Sequence, residues 1–169
     1  SQTTVMNLNA PKASKLPPGW DGSTTASQYA SGKLSRAAQF DGQHYIRIGD
    51  AAAIGYFDKF SFGAWINPTD THSGTIFSKM ESEEQGAGYS LDLTRNGTLQ
   101  VNFVKRWLDD ALRVETTEQL PLDRWHHVAA TYDGSRMASG VKLFVDGQLQ
   151  SLAVLLDELN QTFATKEPL

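Results

Sequence analysis

The chain has no cysteine among its 169 residues, so it can build neither a disulfide framework nor a thiolate zinc site. Redox compartment is left open by that absence, because proteins on both sides of a membrane do without thiols. No apolar run approaches the ~20 residues that a membrane-spanning helix needs. Basic residues never gather into a cluster, and the net charge is −4. A nucleic-acid partner would need a basic footprint for its phosphates, so that class is excluded. Phosphate-cradling glycine loops, a dinucleotide fingerprint and a nucleophile elbow are all missing. So is any internal repeat of solenoid or propeller length. The chain opens on Ser1-Gln2-Thr3-Thr4 without a basic start and an apolar core. It therefore reads as a piece of something longer, whose targeting signal would lie upstream.

What is present is a recurring strand, Asp-Gly, strand pattern. Trp125-His126-His127-Val128-Ala129-Ala130-Thr131-Tyr132 stops at Asp133-Gly134, and Lys142-Leu143-Phe144-Val145 stops at Asp146-Gly147. Asp41-Gly42 separates Ala38-Gln39-Phe40 from Tyr45-Ile46-Arg47-Ile48. Asp-Gly between runs of β-branched and aromatic residues is a hairpin signal. Period-two alternation marks further strands: Phe60, Phe62, Ala64 and Ile66 share one face, as do Tyr89, Leu91 and Leu93. Leu99, Val101 and Phe103 form another inward row, followed by Leu112 with Val114, and later by Val141, Leu143 and Val145. Between Leu152 and Leu159 the apolar run is continuous, consistent with a buried strand or a turn or two of helix. About nine strands at eight-to-twelve-residue spacing predict an all-β fold, a two-sheet antiparallel jelly-roll sandwich.

Residues 1–36 are rich in Ser, Thr, Gly, Pro and Ala and read as a linker or a loosely attached N-terminal arm. The packed domain is expected over residues 37–169. A core of this size buries roughly 70% of the surface that the unfolded chain exposes.

Four ordered motifs carry a family resemblance: Ala38-Gln39-Phe40-Asp41-Gly42, Phe60-Ser61-Phe62-Gly63-Ala64-Trp65-Ile66-Asn67-Pro68, Trp125 to Gly134, and Leu143-Phe144-Val145-Asp146-Gly147. Together they resemble the laminin-G-like family, the concanavalin A-like lectin/glucanase jelly rolls of bacterial multidomain proteins. The resemblance implies a non-catalytic carbohydrate-binding or adhesion module of a larger exported protein, at the cell surface, outside the cell or in the periplasm. Its partner would be a polysaccharide or glycoconjugate. The alternative is a structural or protein-interaction domain that orients its neighbours and binds no sugar. Members usually close with two further strands, and the chain stops at Leu169 before either. That departure predicts unpaired sheet edges, filled by the N-terminal arm or by self-association.

The fold family includes glucan hydrolases, whose retaining members need two carboxylates about 5–5.5 Å apart. An acidic set at alternate strand positions would supply them, and none is found. Glu81, Glu83 and Glu84 have similar spacing but sit in a glycine-bounded loop, where no strand fixes them. An enzyme is therefore not expected. His126 and His127 are adjacent, so on a strand they face opposite sides and cannot chelate one ion; sheet packing suits both. Jelly rolls of this family often bind Ca²⁺ through loop carboxylates, which makes Asp41 and Asp146 metal candidates. Asp before Gly is equally the ordinary residue of a tight turn.

Sugar contact would fall to the outward rows. Asp92, Gln100, Asn102 and Arg113 lie side by side if their strands pair as consecutive hairpins, and Arg106 and Trp107 stand at the tip between two of them. Amides and charges hydrogen-bond hydroxyls, and an indole stacks on a pyranose face. The same rows also suit the wet face of a half-buried antiparallel sheet.

Overall fold

Strands form where apolar side chains alternate with polar ones, and corners form where Gly or Asp relieves the backbone. The computed structural model describes residues 4–7, 28–40, 45–48, 52–70, 73–81, 86–167 and 169. In chain order the first strands are β1 (Thr4–Asn7), β2 (Gln28–Ser31), β3 (Arg36–Phe40) and β4 (Phe60–Pro68). A meander follows: β5 (Gly74–Met80), β6 (Gly88–Leu93), β7 (Leu99–Arg106) and β8 (Asp110–Thr116). Last come β9 (His126–Tyr132), β10 (Val141–Val145), β11 (Gln148–Leu149) and β12 (Leu152–Asp157). Ala138–Gly140 makes a short 3₁₀ turn before β10.

The described strands make two sheets. One has seven strands in the order β11-β10-β9-β4-β1-β3-β2, the other five in the order β12-β8-β7-β6-β5. Every described pairing is antiparallel. The all-β jelly-roll sandwich expected from alternation is the architecture observed.

The inward rows meet between the sheets. Leu91, Val101, Phe103, Leu112 and Val114 are fully buried, and Ile66, Val128 and Leu143 face them from the other sheet. Rings close the gap: Phe60 lies 5.4 Å from Phe103, and Phe103 lies 4.9 Å from Tyr132. Each large side chain withdrawn from water this way contributes about 1.5–3 kcal/mol.

Two corners depend on backbone freedom. Asp146 and Gly147 both take positive φ, 51° and 81°, which gives the tight β10–β11 hairpin its twist. At Gly88 a Cβ would sit 2.1 Å from the Lys79 carbonyl oxygen, so β5 and β6 pair closely only because no side chain is there.

The N-terminal arm enters the larger sheet. β1 lies between β3 and β4, with Val5 opposite both Gln39 and Asn67, and β2 forms the edge beside β3. The two readings left open for 152–159 also resolve: Leu152–Asp157 is a strand, and beyond it Leu159 and Phe163 plug the core. That strand is not buried, since Val154 and Leu155 remain 58% and 44% exposed. Its place at the sheet edge explains this, because one flank has no described neighbour. Asp110 anchors the plug: its Oδ1 accepts the amides of Asn160 (2.7 Å) and Gln161 (3.2 Å).

Candidate functional site

The consecutive hairpins β6–β7–β8 put Asp92 opposite Gln100, Ser90 opposite Asn102, and Asn102 opposite Arg113. All point to the outer face of the five-stranded sheet, because the inward positions are taken by the core row. Asn102 is the hub. Its Nδ2 donates to Asp92 Oδ2 (2.8 Å) and Ser90 Oγ (3.1 Å), while its Oδ1 accepts from Gln100 Nε2 (2.7 Å) and Arg113 Nε (3.3 Å). Asp92 gains two more donors, Ser90 Oγ at 2.6 Å and Thr75 Oγ1 at 2.7 Å. Next along the face, Thr98 Oγ1 donates to the Glu115 carboxylate.

Electrostatically this is a desolvated patch. Burial pushes the Asp92 carboxyl above its ordinary range, and the bonds from Ser90, Thr75 and Asn102 only partly oppose it. Burial also lowers the Arg113 guanidinium, with the Glu115 charge acting the other way. Arg113 lies over the Trp107 indole, its guanidinium carbon 3.8 Å from the ring centroid, within the range of a cation–π contact.

The structure thus brings together Asp92, Gln100, Asn102, Arg113 and Trp107. Asn102 (1% exposed) and Ser90 (3%) stand beneath the surface, while Thr75 is exposed and Asp92, Gln100, Arg113 and Trp107 are half-buried. Arg106 is engaged otherwise: its Nε donates to Asp109 Oδ1 at 2.8 Å, and its Nη1 lies 3.8 Å from Asp110 Oδ2. Asp109 holds the exposed Arg106 guanidinium firmly protonated. The irregularity between Val104 and Arg106 in the β7–β8 ladder separates that residue from the polar row.

A second polar cluster sits at the β10–β11 corner. Asp146 Oδ2 lies 2.8 Å from His126 Nδ1, and its Oδ1 accepts the His127 amide at 2.8 Å. The Asp146 amide in turn donates to the His127 carbonyl at 2.8 Å. His126 is fully buried, with Nε2 3.0 Å from the Pro121 carbonyl and 3.1 Å from Arg124 Nε. Burial raises the Asp146 carboxyl, but the His127 amide, the His126 ring and the Arg124 charge together hold it below its ordinary range. His127, on the opposite face, packs on Trp65 with ring centroids 5.2 Å apart.

Both Asp146 oxygens are therefore used by the fold. Asp58 and Asp133 do turn work as well, accepting the amides of Gly55 (2.7 Å) and Ser135 (2.9 Å). Asp41 lies outside the described residues, as do Asp50, Glu83 and Glu84. Among the described residues no three His, Asp or Glu gather as a metal group.

Sequence reasoning missed Thr75 as a partner of Asp92 and Asp146 as a partner of His126. Each pair is close only through the ladder, and no local pattern marks it. It also missed the Tyr56–Phe57 pair, with rings 4.2 Å apart and the Arg136 guanidinium 5.7 and 5.5 Å from their centroids.

Against known proteins, a laminin G family model described as the concanavalin A-like lectin/glucanases superfamily matches residues 40–169. No curated protein and no solved structure matches.

Proposed function

The chain belongs to the concanavalin A-like lectin/glucanase superfamily, and from that premise we propose that it is a non-catalytic carbohydrate-binding module of a larger exported protein. Laminin-G-like domains of the lectin type are generally non-catalytic, and the superfamily points to sugar or protein partners. The observation that carries the sugar reading is the Arg113–Trp107 stack at the rim of the polar face, 3.8 Å from guanidinium to indole. An indole held in place by a cation offers a rigid apolar platform, and Gln100 and Thr75 supply hydrogen-bonding groups on the same face. Asn102 acts from behind, orienting Gln100 and Arg113, and Asp92 fixes Thr75. Pre-ordering of this kind lowers the entropy cost of binding.

A glycan array with the intact chain tests this reading. Binding to at least one polysaccharide is expected, weakened about tenfold or more by Trp107→Ala, the scale of a lost aromatic contact. Flat responses across the array would leave the neighbouring-domain reading in its place. That second reading draws on the exposed apolar side chains of β12, Val154 and Leu155.

A further inference from the structure

Among the described residues, strand β12 is bonded on one side only. It is the edge of the five-stranded sheet and pairs with β8 over Leu152–Asp157. In an antiparallel ladder, residues alternate between turning their N–H and C=O toward the partner and away from it. The flank without a described neighbour therefore offers a row of donors and acceptors to another strand. Its side chains are apolar as well: Val154 is 58% and Leu155 44% exposed, and Leu149, on the edge strand β11 just upstream, is 61% exposed.

Edge strands are ordinarily guarded by charge, proline or a bulge. From Leu152 to Leu156 the strand carries no charge and no proline, and its one guard is the bulge between Val154 and Leu156. At the other end of the same sheet, β5 carries Lys79 within the strand, and in the seven-stranded sheet the edge strand β11 spans only Gln148–Leu149.

We propose that β12 is a homotypic interface, on which a second copy of this chain lays its own β12 antiparallel across a two-fold axis. The two five-stranded sheets would then run on as one continuous sheet. Charge selects this arrangement. The acidic residues Asp157 and Glu158 lie at one end of the strand, and Asp157 is fixed there by the Ala138 amide at 2.7 Å. Parallel pairing would set Asp157 against Asp157, a like-charge pair that opposes association. Antiparallel pairing sends the two acidic ends to opposite ends of the seam and sets the uncharged centres of the strands against each other. An apolar centre with one acidic end is complementary to its own rotated copy, which is what an isologous interface requires. This inference stands apart from the sugar reading, since none of its residues belongs to the Trp107 face.

The test uses the full chain in sedimentation velocity over a concentration series. A monomer–dimer equilibrium is expected, with Val154→Lys weakening the dimer about tenfold or more. If Val154→Lys fails to fold by far-UV circular dichroism, Leu155→Lys serves instead. Because the chain has no cysteine, Val154→Cys gives a crosslink with one address. Under mild oxidation it is expected to form dimer faster than Leu108→Cys, a control position 85% exposed on a hairpin tip. The proposal is overturned by a monomer at every concentration, by a dimer insensitive to both lysine variants, or by equal crosslinking at the two cysteines. A strand of a different protein found on β12 would overturn it too.

Discussion

Asp92 and Asp146 are both carboxylates caught in hydrogen-bond ladders, yet their acidities move in opposite directions. Asp92 receives bonds from Ser90, Thr75 and Asn102, all neutral side chains, and burial outweighs them. Asp146 receives a backbone amide and the His126 ring, with Arg124 nearby, and its side chain keeps 41% exposure at a hairpin corner. Donor number does not decide the matter; access to water and proximity to cationic groups do. The outer face of the five-stranded sheet is thus a desolvated, self-satisfied patch, whereas the β10–β11 corner is a solvated clamp on a buried histidine.

The sharpest way to break this comparison is to remove the buried side of the clamp. His126→Ala leaves a void and takes the partner from Asp146 and the Pro121 carbonyl. A loss of about 3–4 kcal/mol is expected, read as a lower urea midpoint at unchanged slope. On the sheet face, Asn102→Ala strands Asp92 and Gln100, and a loss of about 2 kcal/mol is expected. Combined with Asp92→Asn it should cost less than the sum of the two single changes, because they disrupt one network.

The smallest effect is the most diagnostic. The folded value of Asp92 is raised, so the native state holds its proton more tightly than the unfolded chain does. As pH falls through that value, the wild type gains stability relative to Asp92→Asn. The folded value of Asp146 is lowered, so its contribution is present above the ordinary carboxylate value of 3.8 and is lost as pH falls through the folded value. The wild type therefore loses ground to Asp146→Asn in acid, by under about 1 kcal/mol, because solvent screens the exposed carboxylate. Denaturation midpoints for the three proteins across the acid range should give slopes of opposite sign. Slopes of the same sign would end the distinction drawn between the two sites.

Much of this was legible in one dimension. Alternation at Leu99-Val101-Phe103 and Leu112-Val114 set the inward rows, and consecutive hairpins then obliged Asp92, Gln100, Asn102 and Arg113 to share the other face. The turn roles of Asp133 and Asp146 followed from their place at predicted Asp-Gly corners. Arg106 was read with its neighbours because the break in the ladder beside it has no signature in alternation. Filling of a sheet gap by the N-terminal arm was expected, but not that Thr4–Asn7 would be the strand or that it would lie between β3 and β4, since four residues are too few to show a period. In β12 the continuous apolar run masked both its type and its exposure, which depend on position in the sheet rather than on composition.

The position of β1 also bears on the order of assembly. β5 to β8 pair with chain neighbours and can zip as a local meander, whereas Thr4 pairs with Pro68, far along the chain, on a strand whose other neighbour is the equally distant β9. Closing so long a loop is entropically costly before any contact rewards it, and non-local pairings slow folding. The smaller sheet should therefore form first and serve as the floor on which the larger one is completed, with β1 among the last strands to settle.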